Sequence, residues 1–384
     1  MDILREASEM KETLRDIRRT LHRCPETGTD LPVTKKTVTQ IMERYGIGLE
    51  ETAGSLTALI GDPEKGETVL LRADMDALPL REESGEEFAS ENGNCHACGH
   101  DLHTAMLIGA ATILKKAEKD MKGAVRLLFQ SAEETAEGAK AFAASGILED
   151  PHISAAYALH VQPEMRSGYI NGTPGWKMKG YDRFRIKVSG KGGHGGKPHM
   201  KKDPIRTSVY IYQAIDGLMS HTADPAGGAV ISIGEFHTGT SANIIPAEAV
   251  MSGTIRTMTA DDRTMMKSRL SDICRAAEQM TGTVVSLVFE AETQPLWNDK
   301  ELTGRAVELL KRNGLDASAD PEPSAFSEDF AEIAAKVPSV YLHVGAKKEG
   351  DPVRFNHDPK ARYDEEILPI GAAALAIMAA DHIF

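Results

Sequence analysis

Within residues 94–105 the chain reads NCHACGHDLHTA, which sets Cys95, His96, Cys98, His100, Asp101 and His103 almost side by side. Thiolates, imidazoles and carboxylates are the protein ligands of transition metals. The same letters admit three chemistries. Cys95 and Cys98, in C-x-x-C spacing, could form a redox pair. The loop alone could close around a structural zinc. Alternatively, Cys98 and His100 could be one wall of a catalytic metal site that other segments complete. A redox pair has no need of the three neighbouring histidines. A closed zinc knuckle would leave further ligand-type residues without a role.

Those further residues follow short apolar runs. Asp74 and Asp76 end TVLLRADMDALP, Glu133 and Glu134 follow VRLLF, His160 ends ISAAYALH, and His357 lies in RFNHDPKARYDE beyond VPSVYLHVG. In a parallel sheet, ligands bind outside the carboxyl ends of the strands, so these groups would meet at one edge. A Glu-Glu pair is usually a solvated surface feature, and a lone histidine is usually a satisfied core residue. Their company gives both more weight here. Adjacent acids at a strand end suit one carboxylate that binds metal and one that stays free. A water held by a metal has its pKa lowered toward neutrality, and a free glutamate beside it can take the proton and pass it to a leaving group. That pairing suits amide hydrolysis. The glycine-rich GKGGHGGKPH (190–199) lacks both phosphate-loop patterns and reads better as a turn presenting His194 to a ligand. Asn243, in NIIP, and Arg256, in GTIRT, lie further along the same segment. Such an arginine is either solvated or placed to catch a substrate carboxylate with its guanidinium fork.

The elements that must position these residues alternate. Runs buried on both faces, TVLLRADMDALP, AVRLLFQSAEE, ISAAYALHVQP and VPSVYLHVG, read as parallel strands. Between the first two, Leu102, Ala105, Met106, Gly109, Ala110 and Ile113 make one helical face, with Asp101 as its N-cap. An amphipathic helix is expected through Leu4, Ala7, Met10, Leu14, Ile17 and Leu21. The pattern predicts a doubly wound, mostly parallel α/β sheet. From YDRFRIKVSG onward the order becomes β-α-β-β-α-β, a ferredoxin-like α+β insert. The expected division is 1–179 and 293–384 for the α/β domain, with 180–292 as the insert.

Composition narrows the function. A formal net charge of −13 argues against nucleic acid and anionic membrane partners. The segment MDILREASEMKE has the features of no signal peptide, and no run approaches 18 apolar residues, so no transmembrane helix is expected. Four cysteines are too few for a disulfide scaffold and fit a reducing cytoplasm.

RADMDALP, ACGHDLHTAMLIGAA, QSAEE, ALHVQP, GGHGGKPH, SANIIP, SGTIRT, SEDFA and NHDPKARYDE together resemble the M20 metallopeptidase family, in its amidohydrolase subgroup. That subgroup hydrolyses N-acyl amino acids, hippurate and auxin–amino acid conjugates. The resemblance implies two divalent metal ions per subunit, drawn from manganese, zinc, cobalt or nickel. Cys98, His100, Glu134, His160 and His357 match the metal ligands, Glu133 the general base, and Asp76 the acid that orients or bridges to a ligand. His194, Asn243 and Arg256 match residues of a lid that also forms a homodimer, with His194 stabilising the oxyanion. The wider family has histidine at the position of Asp74 and a bridging aspartate at Cys98, and this chain follows the subgroup at both. The expected activity is metal-dependent deacylation of N-acyl amino acids. The alternatives are a carboxypeptidase or dipeptidase of the same family, or a C-x-x-C redox or metal-carrier protein. Cys95 is expected to be a bystander, and Asp329 to belong to a helix start capped by Ser327.

Overall fold

A computed structural model describes residues 1–221, 228–321 and 323–384. The chain forms two compact units, Met1–Lys177 with Trp297–Pro323 and Asp329–Phe384, and Met178–Leu296 with Ser324–Glu328. In chain order the strands of the two larger sheets are β1 (Glu50–Thr52), β2 (Ser55–Gly61), β3 (Thr68–Asp74), β4 (Ala124–Gln130), β5 (Ile153–Arg166) and β6 (Ile170–Asn171). The second unit contributes β7 (Gly180–Ser189), β8 (Val230–Thr238), β9 (Glu248–Thr257) and β10 (Val284–Thr293). The chain then returns with β11 (Ala317–Ser318) and β12 (Ser339–Lys347).

The first unit is built on a mixed eight-stranded sheet, ordered β1-β2-β4-β3-β5-β12-β6-β11. β3 pairs in parallel with β4 and β5, and β12 pairs in parallel with β5. β3 is buried at every residue, as an apolar strand covered on both faces must be. Helices α1 (Ile3–Glu9), α2 (Lys11–His22), α3 (Pro32–Arg44), α4 (His100–Lys116), α5 (Lys300–Arg312) and α6 (Leu368–Ile383) surround it. The expected single N-terminal helix is two. The Met10 N–H turns back to the Ala7 carbonyl at 3.2 Å and ends α1 early.

α4 and α6 pack closely, and small residues at the crossing allow it. A Cβ on Gly371 would lie 2.2 Å from Met106 Sδ, and one on Gly109 would lie 2.8 Å from Ala372 Cβ. Glu365–Ile383 is the one described helical segment long and apolar enough to cross a membrane, against the expectation of none. Sixty-seven per cent of that window is buried against the rest of the protein, as in a core helix.

The second unit carries a four-stranded antiparallel sheet, ordered β8-β9-β7-β10, with the long helices Pro204–His221 and Ala260–Thr281. Its element order is β-α-β-β-α-β, with a core of its own around Phe184, Ile186, Met251, Ile211 and Leu270. Its first and last strands are neighbours, Tyr181 pairing with Thr293. In the first unit, Trp176 and Trp297 meet edge to face at 4.8 Å, at the two points where the chain leaves and re-enters.

Candidate active site

β3, β4 and β5 deliver their ends to one place. Asp76 follows β3, and its two carboxylate oxygens accept the backbone N–H groups of Glu133 and Glu134, each at 3.1 Å. This clamp fixes the turn after β4. Ala132 and Ala136 flank that turn with φ of 57° and 59°, left-handed values that a non-glycine residue adopts only when its surroundings impose them. His357 has φ of 69°, and its N–H donates to the Ala97 carbonyl at 2.9 Å. Tyr363 donates its hydroxyl to the same carbonyl at 2.8 Å, so the His357 loop and the Cys98 loop share one anchor.

Cys98 and His100 stand at the start of α4. The expected N-cap, Asp101, is not one: Gly99 occupies the cap position, with φ of 83° and no side-chain cap. The Asp101 carboxylate instead accepts from Arg18 Nε at 2.6 Å and lies 2.7 Å from His22 Nδ1, both buried. A buried charge finds more in a guanidinium than in a helix terminus.

The metal-type donors converge in overlapping sets. The donor atoms of Cys98, His100 and His160 lie within 4.8 Å of one another, as do those of Cys98, Glu134 and His357, and of His100, Glu133 and Glu134. His160 Nδ1 donates to the Val161 carbonyl at 2.8 Å, so its Nε2, 3.4 Å from Cys98 Sγ, holds the lone pair. Burial keeps His160 well below its usual pKa and uncharged. His100 Nδ1 donates to the Asp76 carbonyl at 2.9 Å, and its Nε2 is buried with no hydrogen-bond partner among the described residues, as is Glu134 Oε1. Burial opposes charge on His100. The Asp74, Asp76 and Glu134 carboxylates outweigh it and push the pKa up to about 10. A pocket this rich in carboxylate calls for a cation beside His100 Nε2. Two imidazoles with fixed outer hydrogen bonds, a thiol and a carboxylate fit a divalent transition-metal ion.

Cys95 stands outside these sets. Its backbone pairs with Leu78, and burial pushes its thiol up to about 12, so it offers no thiolate for redox chemistry. Asp329 is not part of a helix start capped by Ser327. The next helical turn, Ala331–Ala334, has no side-chain cap, and the buried Asp329 carboxylate accepts from Gln130 Nε2 at 2.8 Å, Ala139 N at 2.9 Å and Arg72 Nη2 at 3.1 Å. Arg72 also donates to Asp74 Oδ2 at 2.7 Å. An arginine inside an apolar strand was the available signal for this buried network.

The other candidates lie in the second unit. His194 pairs with Ile244 in a short ladder, and the Gly195 N–H donates to the Asn243 carbonyl at 2.9 Å, so one turn holds His194 and Asn243 together. The Gly196 N–H donates to His194 Nδ1 at 3.0 Å, which leaves the ring proton on Nε2. Arg256, on β9, stacks its guanidinium over the Tyr181 ring at 4.8 Å.

Residues 70–381 match the model of peptidase family M20/M25/M40. The chain is 36% identical over 382 residues to thermostable carboxypeptidase 2 of Saccharolobus solfataricus, covering 97% of this chain and 96% of that one. It is 33% identical over 362 residues to N-acetyl-L-cysteine deacetylase of Bacillus subtilis, covering 93% and 85%. Among solved structures, the Bacillus subtilis YXEP protein, a dinuclear metal binding peptidase from the M20 family, superposes with a TM-score of 0.82 at 31% identity, over 97% of this chain and 98% of that one. The chain therefore belongs to peptidase family M20/M25/M40 and is a metal-dependent amidohydrolase.

Proposed function

We propose that the enzyme hydrolyses the amide bond of N-acyl amino acids, releasing a carboxylate and a free amino acid. The observation that carries this reading is the convergence of Cys98, His100, His160, Glu134 and His357 donors with Glu133 beside them. Cys98, His100, His160, Glu134 and His357 would hold two divalent ions. Bound there, the ions would supply Lewis acidity toward the scissile carbonyl and toward water. Glu133 takes the proton of the attacking water and delivers it to the leaving nitrogen. Asp76 holds Glu133 in place through its backbone N–H. The second unit acts as a lid and as the surface of a homodimer. His194 offers its Nε2–H to the developing oxyanion. Arg256 grips the substrate carboxylate with Asn243 nearby; among the described residues no carboxylate pairs with this guanidinium, which suits it to an incoming one. Four free cysteines suit a reducing cytoplasm.

The test is a panel of N-acetyl and N-benzoyl amino acids and dipeptides, run on metal-free protein reloaded with manganese, zinc, cobalt or nickel in turn. Ion-dependent cleavage of the acyl amino acids is expected. Preferential release of C-terminal residues from peptides would move the activity to the carboxypeptidase named among the relatives. Glu133→Gln should keep its metal and lose about 10²–10⁴-fold in turnover. Cys98→Ala should lower metal per chain while Cys95→Ala should not. Equal loss in both would restore the paired-cysteine reading.

A further inference from the structure

His103 lies one helical turn beyond His100 on α4, buried, and is the third histidine of the opening motif. Its Nε2 accepts the Val161 N–H at 2.9 Å. A backbone N–H can only donate, so Nε2 is unprotonated and the ring proton sits on Nδ1, 2.6 Å from Asp74 Oδ1. Both nitrogens are then engaged. Although the donors of Asp74, His100 and His103 lie within 4.8 Å of one another, His103 has no lone pair left for a cation.

The bond answers a need created by the sheet. β5 pairs with β3 only as far as Ala158, opposite Arg72, while its pairing with β12 continues through His160 and Val161. Beyond Ala158 the pairing with β3 has ended, and the His103 ring supplies an acceptor to Val161. The Val161 carbonyl, so held, accepts the Nδ1–H of His160 at 2.8 Å. The His103 and His160 rings also pack, with centroids 4.6 Å apart. The anchor runs further back. Asp74 is held by Arg72 Nη1 at 2.7 Å, and Arg72 Nη2 by Asp329 Oδ1 at 3.1 Å.

We infer that His103 is a positioning residue for His160, acting through Val161 to fix the ring and tautomer that aim Nε2 at Cys98 Sγ. This rests on the proposed reading of Cys98 and His160 as ligands. Outer partners of this kind typically change metal affinity about 10–100-fold.

Two measurements test it. Chelator competition with Co(II) should show about 10–100-fold weaker binding in His103→Ala, with a diminished thiolate-to-cobalt absorption band. His103→Gln, whose amide oxygen can still accept from Val161, should recover most of the loss. Imidazole ¹⁵N resonances of the metal-free wild type should show both His103 and His160 as Nδ1–H tautomers. The opposite tautomer at either residue overturns the inference, whether or not a variant folds. Wild-type protein that binds two ions, with His103→Ala binding them equally well, overturns this inference alone. Wild-type protein that binds no divalent ion overturns the ligand reading, and this inference with it.

Discussion

Gly99 separates Cys98 from His100, two of the proposed metal ligands. Its φ of 83° lies in the left-handed region, and a Cβ there would sit 2.3 Å from Val161 Cγ2. Gly99→Ala should therefore cost about 1–2 kcal/mol in backbone strain and displace Cys98 or His100. The expected result is reduced metal per chain after gel filtration, with secondary structure retained by circular dichroism. Normal metal content would show that the loop absorbs a methyl group without displacing Cys98 or His100. The ligand-type residues were readable as a sequence because cysteine, histidine and glutamate declare their chemistry by type, and strand ends declare where they meet. What holds them was not readable. Arg72 reaches Asp329 across 257 positions and His103 reaches Val161 across 58, and no local spacing encodes either approach. Asp101 was misread for the same reason: a local role was available on paper, and a distant guanidinium took the carboxylate.

At the scale of elements, α2 is tied to the start of α4 by a buried ionic cluster. Arg18 and His22 meet Asp101 at 2.6 and 2.7 Å, His22 Nε2 lies 3.0 Å from Glu82, and Arg18 Nη1 lies 3.0 Å from Glu365. Arg18→Met would leave Asp101 buried beside a weaker partner, and removing one member of such a pair costs about 3–5 kcal/mol. A thermal midpoint within a degree of wild type would refute that estimate. The cluster also predicts pH dependence. Burial would raise the Asp101 pKa, but Arg18 and His22 hold it far below the usual range. Its stabilisation is thus complete above about pH 4 and is lost as acid reaches the folded value. His22 behaves oppositely. Burial lowers its pKa, yet Asp101 raises it further, so the stabilisation from His22 is present below about pH 6.5 and fades as pH climbs through the raised value. The wild-type minus His22→Gln difference in unfolding free energy should shrink over that alkaline interval; a difference flat with pH would remove His22 from the account. The half-buried strands were legible by their alternation and the parallel strands as short apolar runs bounded by turn residues. α6 was not, because it is apolar and buried almost all round and so has no stripe to reveal it.

At the scale of the molecule, metal that binds only the folded first unit should raise its stability by mass action. An ion at about 100 times its Kd contributes about 2.7 kcal/mol, so chelation should lower the thermal midpoint by several degrees. An unchanged midpoint after verified metal removal would show that the site is built without help from its ions. The inserted unit has a subtler consequence. Closing a flexible loop costs more entropy as the loop lengthens, by about 0.6 kcal/mol per doubling. A disordered loop the length of Met178–Leu296 is roughly five doublings longer than a tight turn, or about 3 kcal/mol. But the insert begins and ends in neighbouring antiparallel strands, β7 and β10. Once folded on its own core, it hands the chain back close to where it took it, and the first unit experiences a short connection. Insert first, sheet second is then the cheaper order of assembly. The paired indoles of Trp176 and Trp297 stand at that junction, and they are the only tryptophans in the chain. Their fluorescence therefore reports the moment of closure, and loosening the insert core with Phe184→Ala should delay it.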